Sequence, residues 1–132
     1  MRGVYAYDHE QKTFRRYTEF LANTQLFRLA KKTAEEHQNF NVKVGTISTS
    51  DSWFESVDYI NFLNEKYGST CEEMETHAAA HICHNTGVPF IGIRVISNNI
   101  LTAENFAAST AYTCQDFVLL VLEKIIEEGK FN

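Results

Sequence analysis

The chain has 132 residues and a net charge of −5, with 44% apolar and 22% charged residues: enough for one domain with a core, and too short for two. Its densest basic pairs are Arg15-Arg16 and Lys31-Lys32, which argues against a nucleic-acid partner. No apolar run reaches the roughly 20 residues of a membrane span, and the opening MRGVYAYDHE has no signal-peptide core, so no membrane partner is expected and the expected location is the cytoplasm.

Val4 to Tyr7 is a candidate short strand, and residues 8–23 show no clean period and read as a loop. Asn23 or Thr24 caps a helix whose residues Leu26, Leu29, Ala30, Thr33 and Ala34 fall at helical spacing. Lys31, Lys32, Glu35 and Glu36 form its solvated face. Val42 to Ser48 is rich in β-branched residues and predicts a strand, followed by the polar run STSDSWF. Ser56 caps a second helix that Gly68 ends. Thr70 to Met74 predicts a strand, Thr76 to Thr86 a helix, and the apolar run Pro89 to Ile96 a central buried strand. A last helix is expected from Thr102 or Ala103 to Gly129, with Phe106, Phe117 and Val121 on one face. Alternating strands and helices imply an α/β fold with a mostly parallel sheet flanked by helices.

Chemistry concentrates between Cys71 and Asn99, where two strand ends flank one helix; open α/β sheets place ligands at such ends. Glu72 and Glu73 are adjacent on a strand and point to opposite faces, and Glu75 shares the face of Glu73 if the strand continues that far. A carboxylate here either caps the following helix, whose dipole favours negative charge, or accepts hydrogen bonds from sugar hydroxyls. His77, His81 and His84 lie on one helical stripe beside Cys83. Zinc can be held by helical histidines four apart, but an HExxH pattern and a fourth ligand are both missing, so no metal is assigned. The segment GTISTSDSWF lacks the spaced glycines of a phosphate-cradling loop, while Trp53 and Phe54 suit either a flat ligand pocket or the core. Ser97, Asn98 and Asn99 read by default as a turn. The three cysteines, Cys71, Cys83 and Cys114, are odd in number and widely spaced, and read as reduced thiols.

Taken together, Glu73-Met74-Glu75, Ala80-His81-Ile82-Cys83-His84, Gly87-Val88-Pro89-Phe90 and Arg94-Val95-Ile96-Ser97 resemble the C-terminal part of the purine nucleoside phosphorylase/uridine phosphorylase superfamily. The 5′-methylthioadenosine/S-adenosylhomocysteine nucleosidases are the nearest group. Gly45-Thr46 through Asp51-Ser52-Trp53 adds a looser match, and the resemblance covers about Leu26 to Glu127.

The resemblance implies a truncated phosphorylase/nucleosidase-like fold, with residues 1–132 as a single partial domain, and a small-molecule purine nucleoside as ligand. No cofactor is implied, and a homo-oligomer is expected. It implies that Glu75, with Glu73 beside it, binds the ribose hydroxyls and that Met74 packs on sugar and base. Trp53 takes the place of the stacking aromatic, with Phe54 next to it. Ser97 precedes the position of the acid that protonates the leaving base, where this chain has Asn98, and an amide cannot give up a proton. Two more positions depart from the pattern: Ser50 stands where Gly is common, and Glu72 where an apolar strand residue is usual. The family's N-terminal part, which supplies the water-activating Glu of nucleosidases or the phosphate-binding residues of phosphorylases, has no counterpart here. The expected function is therefore related to N-glycosidic cleavage of methylthioadenosine- or adenosylhomocysteine-type nucleosides. The alternatives are an inactive nucleoside-binding or structural remnant, or a phosphorylase fragment.

Overall fold

The computed structural model describes residues 4–128. In chain order it contains β1 (Val4–Asp8), β2 (Thr13–Tyr17), α1 (Thr24–Glu36), β3 (Thr46–Thr49), α2 (Val57–Tyr67), β4 (Ser69–Glu73), α3 (Thr76–Thr86) and α4 (Thr110–Glu128). The class is α/β. β3 and β4 form a parallel pair joined through α2, and β1 and β2 form a separate antiparallel hairpin.

Helix boundaries follow local chemistry. The Asn23 side chain accepts hydrogen bonds from the amides of Gln25 and Leu26, which caps α1 as the sequence predicts. Ser56 accepts from the Tyr59 amide at the start of α2. Gly68 and Gly87 end α2 and α3 at φ of 63° and 71°, the left-handed conformation that glycine adopts without a Cβ penalty. In the core, Leu29 and Thr33 of α1 are fully buried, and Phe117 and Val121 of α4 are nearly so. The two helices are tied further by Phe40 against Phe117, by Arg28 to Glu128 at 2.5 Å, and by Lys124 to Glu36 at 2.7 Å. Glu36 is thus not merely on a solvated face.

Four other expectations are corrected. Residues 8–23 are not a loop throughout, because Thr13–Tyr17 pairs with β1. Asp8 organises that hairpin: one carboxylate oxygen accepts from the amides of Glu10 and Gln11, and the other accepts from Arg15 and Tyr17 at 3.0 and 3.1 Å. The turn is closed by Lys12 in the left-handed region rather than by a glycine, and β2 is exposed along nearly its whole length, so it carries no alternating pattern. The strand expected over Val42 to Ser48 is only Thr46–Thr49. Pro89 to Ile96 forms no ladder among the described residues. The Phe90 carbonyl accepts from the Asn23 amide at 2.7 Å, Gly92 lies against Ile47 and Thr76, and Arg94 to Ile96 are exposed. α4 begins at Thr110, which leaves Phe106 outside the helix and exposed, because residues 99–104 fold back in a bridged turn with Ala103 at φ 56°. Its expected end, Gly129, lies outside the described residues.

Candidate functional site

A cleft of about 480 Å³ opens at the C-terminal ends of β3 and β4. All seven candidate residues line it: Trp53 and Phe54 from the loop after β3, Glu73, Met74 and Glu75 from the β4–α3 junction, and Ser97 and Asn98 from the end of the apolar run. Three segments far apart in sequence therefore meet at one place. The parallel β3–α2–β4 crossover brings the first two together, and contacts of Gly92 and Arg94 with that unit bring in the third.

Glu73 is the most constrained of the set. One carboxylate oxygen accepts from the Thr49 hydroxyl. The other accepts from the Glu75 amide at 3.0 Å and from the Thr76 amide and hydroxyl, both at 2.7 Å, and is 3.0 Å from Arg94. Burial alone pushes this carboxyl up, but the hydrogen bonds from Thr49, Thr76 and the two amides prevail and bring it down to about 2. The cap reading thus describes Glu73: it closes the start of α3 and ties it to β3. Thr49 completes the junction by accepting from the His77 amide at 3.0 Å.

Glu75 is different. β4 ends at Glu73, so Glu75 does not share a strand face with it and sits instead at the first boundary position of α3. It is exposed, and its carboxylate accepts only a 3.3 Å hydrogen bond from the Met74 amide among the described residues. Met74 is half exposed beside it. Across the cleft, Trp53 is 58% exposed and its indole N–H donates to Glu55 at 3.2 Å, while the Phe54 ring packs 4.6 Å from that of Tyr59. Ser97 donates its hydroxyl to the Asn98 side-chain oxygen at 3.2 Å, and its carbonyl accepts from the Ala107 amide at 2.8 Å. The side-chain NH₂ of Asn98 makes no hydrogen bond among the described residues and is available as a donor. The arrangement offers a carboxylate for hydroxyls, a thioether and two aromatic rings for flat apolar surface, and an amide donor for a ring nitrogen.

Two features escaped sequence reasoning. Arg94 lines the cleft and balances Glu73; the only signal was a lone cation inside an apolar run. The Ser50 hydroxyl donates to Glu72, so two positions that depart from the resembled pattern are partners in space. The three histidines of α3 do not approach the cleft chemistry as a group. Phe20 packs against His77, His81 and His84, and Tyr17 and His9 against His84. Among the described residues no three His, Cys, Asp or Glu side chains are grouped to hold a metal. Of the alanines in α3, only Ala80 is buried.

The sequence profile of the Phosphorylase superfamily matches residues 2–127. The chain is 30% identical over 111 residues to the 5′-methylthioadenosine/S-adenosylhomocysteine nucleosidase of Bacillus pumilus (strain SAFR-032), covering 80% of this chain and 48% of that protein. Among solved structures, futalosine hydrolase of Helicobacter pylori strain 26695 superposes with a TM-score of 0.71 at 27% identity, over 80% of this chain and 47% of that one. Helicobacter pylori MTAN superposes with a TM-score of 0.64 at 27% identity, over 89% and 50%. The chain thus spans about half the length of the relatives it matches.

Proposed function

Given that the chain belongs to the phosphorylase superfamily, we propose that its cleft is a purine ribonucleoside site and that its chemistry is related to N-glycosidic cleavage of nucleosides of the methylthioadenosine or adenosylhomocysteine type. The observation that carries this reading is the convergence of Trp53, Phe54, Met74, Glu75, Ser97 and Asn98 on one cleft of nucleoside size. In it Glu75 receives the ribose hydroxyls, Met74 packs on the sugar and the near side of the base, and Trp53 stacks on the base with Phe54 behind it. Asn98 donates a hydrogen bond to a ring nitrogen of the base. Glu73 holds Glu75 and Met74 in place by capping α3 and does not contact the ligand.

Cleavage of the N-glycosidic bond builds positive charge on the sugar and negative charge on the base. A proton donor at the base is worth about 10²–10⁴-fold, and Asn98 supplies only a hydrogen bond. The 132-residue chain alone is therefore expected to bind the nucleoside without cleaving it. The test is adenine release from methylthioadenosine by the purified chain, followed by chromatography alongside a catalyst-free control. Binding with no release above the control is the expected result. Sustained turnover would overturn the expectation that the chain binds the nucleoside without cleaving it.

A further inference from the structure

We infer that Ser50 and Glu72 form a positioning strut that holds the aromatic wall of the cleft over its floor. This rests on the reading of the cleft as a nucleoside site, but its geometry stands separately. Ser50 is the first residue after β3. Its amide donates to the Glu73 carbonyl at 3.0 Å, and its hydroxyl donates to the carboxylate of Glu72, so one residue ties the end of β3 to two consecutive residues of β4. Beyond it, residues 51–55 make no hydrogen bond to another element among the described residues. The Trp53 indole donates to Glu55 within the same loop, and the next anchor is Ser56, which caps α2. Loop position is therefore set at its two ends.

The two anchors differ in what they fix. Ser56, with the Phe54–Tyr59 ring contact, fixes the helix side of the loop. Only the Ser50 end ties the loop to β4, which carries Glu72 and leads into Met74 and Glu75 on the floor of the cleft. A hydroxyl donating to a carboxylate makes a charge-assisted hydrogen bond, stronger than a neutral pair. β3 is only four residues long; the Ser50 amide carries its link to β4 past the last register pair, Thr49–Glu73, and the Ser50 and Glu72 side chains add a second tie at the same end. Glu72 is thus a positioning residue that acts through Ser50 on Trp53, and not a ligand contact.

Trp53 is the only tryptophan of the chain, so its emission reports the wall directly. The experiment measures the anisotropy and acrylamide quenching of Trp53 in the ligand-free chain, and adenine binding by calorimetry, for Ser50→Ala, Glu72→Ala, Glu72→Gln and the double variant Ser50→Ala/Glu72→Ala. Glu72→Ala and Ser50→Ala are expected to lower the anisotropy, make Trp53 more quenchable, and weaken adenine binding by about 3- to 10-fold, as loss of one hydrogen bond implies. The double variant is expected to match either single variant rather than their product. Glu72→Gln keeps an acceptor for the Ser50 hydroxyl but removes the charge, and is expected to fall between the wild type and Glu72→Ala. Should Ser50→Ala fail to fold, the Glu72 pair of variants decides alone, since Glu72 is only half-buried. Unchanged anisotropy and quenching in Glu72→Ala would overturn the strut, and so would weakened adenine binding with Trp53 unmoved, which would make Glu72 a direct ligand contact. Failure of the wild type to bind adenine, with the Trp53 changes intact, would instead count against the nucleoside reading and leave the strut standing.

Discussion

Replacing Glu73 with glutamine tests how the floor of the cleft is held. The carboxyl sits at about 2 rather than 4.5, because four hydrogen bonds to its charged form outweigh the burial that opposes it. At about 1.4 kcal/mol per tenfold, that difference sets an upper bound of about 3 kcal/mol on the preference for the carboxylate in the fold, which solvent screening of this partly buried group reduces. A carboxyl lowered by folding contributes stability above its unfolded value near 4.5; that contribution is lost as the pH falls from about 5 towards 2. The glutamine keeps the shape but turns one acceptor into an NH₂ group facing amide and hydroxyl donors, and it leaves Arg94 without its partner. Glu73→Gln is therefore expected to cost about 2–3 kcal/mol at pH 7. It is also expected to reduce the acid-dependent loss of stability between pH 5 and 2.5, to which the lowered carboxyls of Asp8, Glu36 and Glu128 contribute as well. Urea titrations followed by far-ultraviolet circular dichroism at pH 7, 4 and 2.5 measure both. A loss under about 0.5 kcal/mol at pH 7, or a pH dependence equal to that of the wild type, would refute the reasoning.

Other outcomes follow from single contacts. Gly45→Ala would drive a Cβ into the Thr70 side chain, so it is expected to destabilise the β3–β4 pair, with partial rescue by Thr70→Ala in thermal melts; equal melting of single and double variants would contradict this. Leu29→Ala empties a fully buried position on α1 and is expected to cost about 2–5 kcal/mol, read by urea denaturation. Asn23→Ala removes the α1 cap and is expected to cost about 1 kcal/mol in the same assay. The chain is expected to self-associate, because Tyr112, Leu119, Leu122 and Ile126 leave an exposed apolar stripe along α4; a single monomeric species in sedimentation at all concentrations would contradict it.

The sequence was most legible where one residue decides local geometry. Asn23, Ser56, Gly68 and Gly87 mark helix ends by their own chemistry, and those ends are where the structure has them. The seven residues singled out as a site sit in short motifs scattered over three segments, and the structure brings all seven to the lining of one cleft. What was not legible depends on partners distant in sequence. The hairpin of β1 and β2 hangs on Asp8 binding residues up to nine positions away, which no period announces. Pro89 to Ile96 has the composition of a central strand, yet a strand needs neighbours to hydrogen-bond, and among the described residues it finds only the Asn23 amide at Phe90. Glu72, Glu73 and Glu75 look interchangeable in sequence. Contacts alone separate them: Glu73 is locked into the α3 cap, Glu72 is paired with Ser50, and Glu75 is left open to the cleft.

The central claim, that the cleft receives a purine ribonucleoside through Glu75 and Trp53, is tested most directly by calorimetric titration of methylthioadenosine into the wild-type chain and into Glu75→Gln and Trp53→Ala. The account predicts saturable one-site binding to the wild type. It predicts binding weakened by about 10-fold or more in Glu75→Gln, as loss of hydrogen bonds to a charged group implies, and by about 5-fold or more in Trp53→Ala through lost stacking. No saturable binding by the folded wild type, or equal affinity in all three proteins, would contradict it.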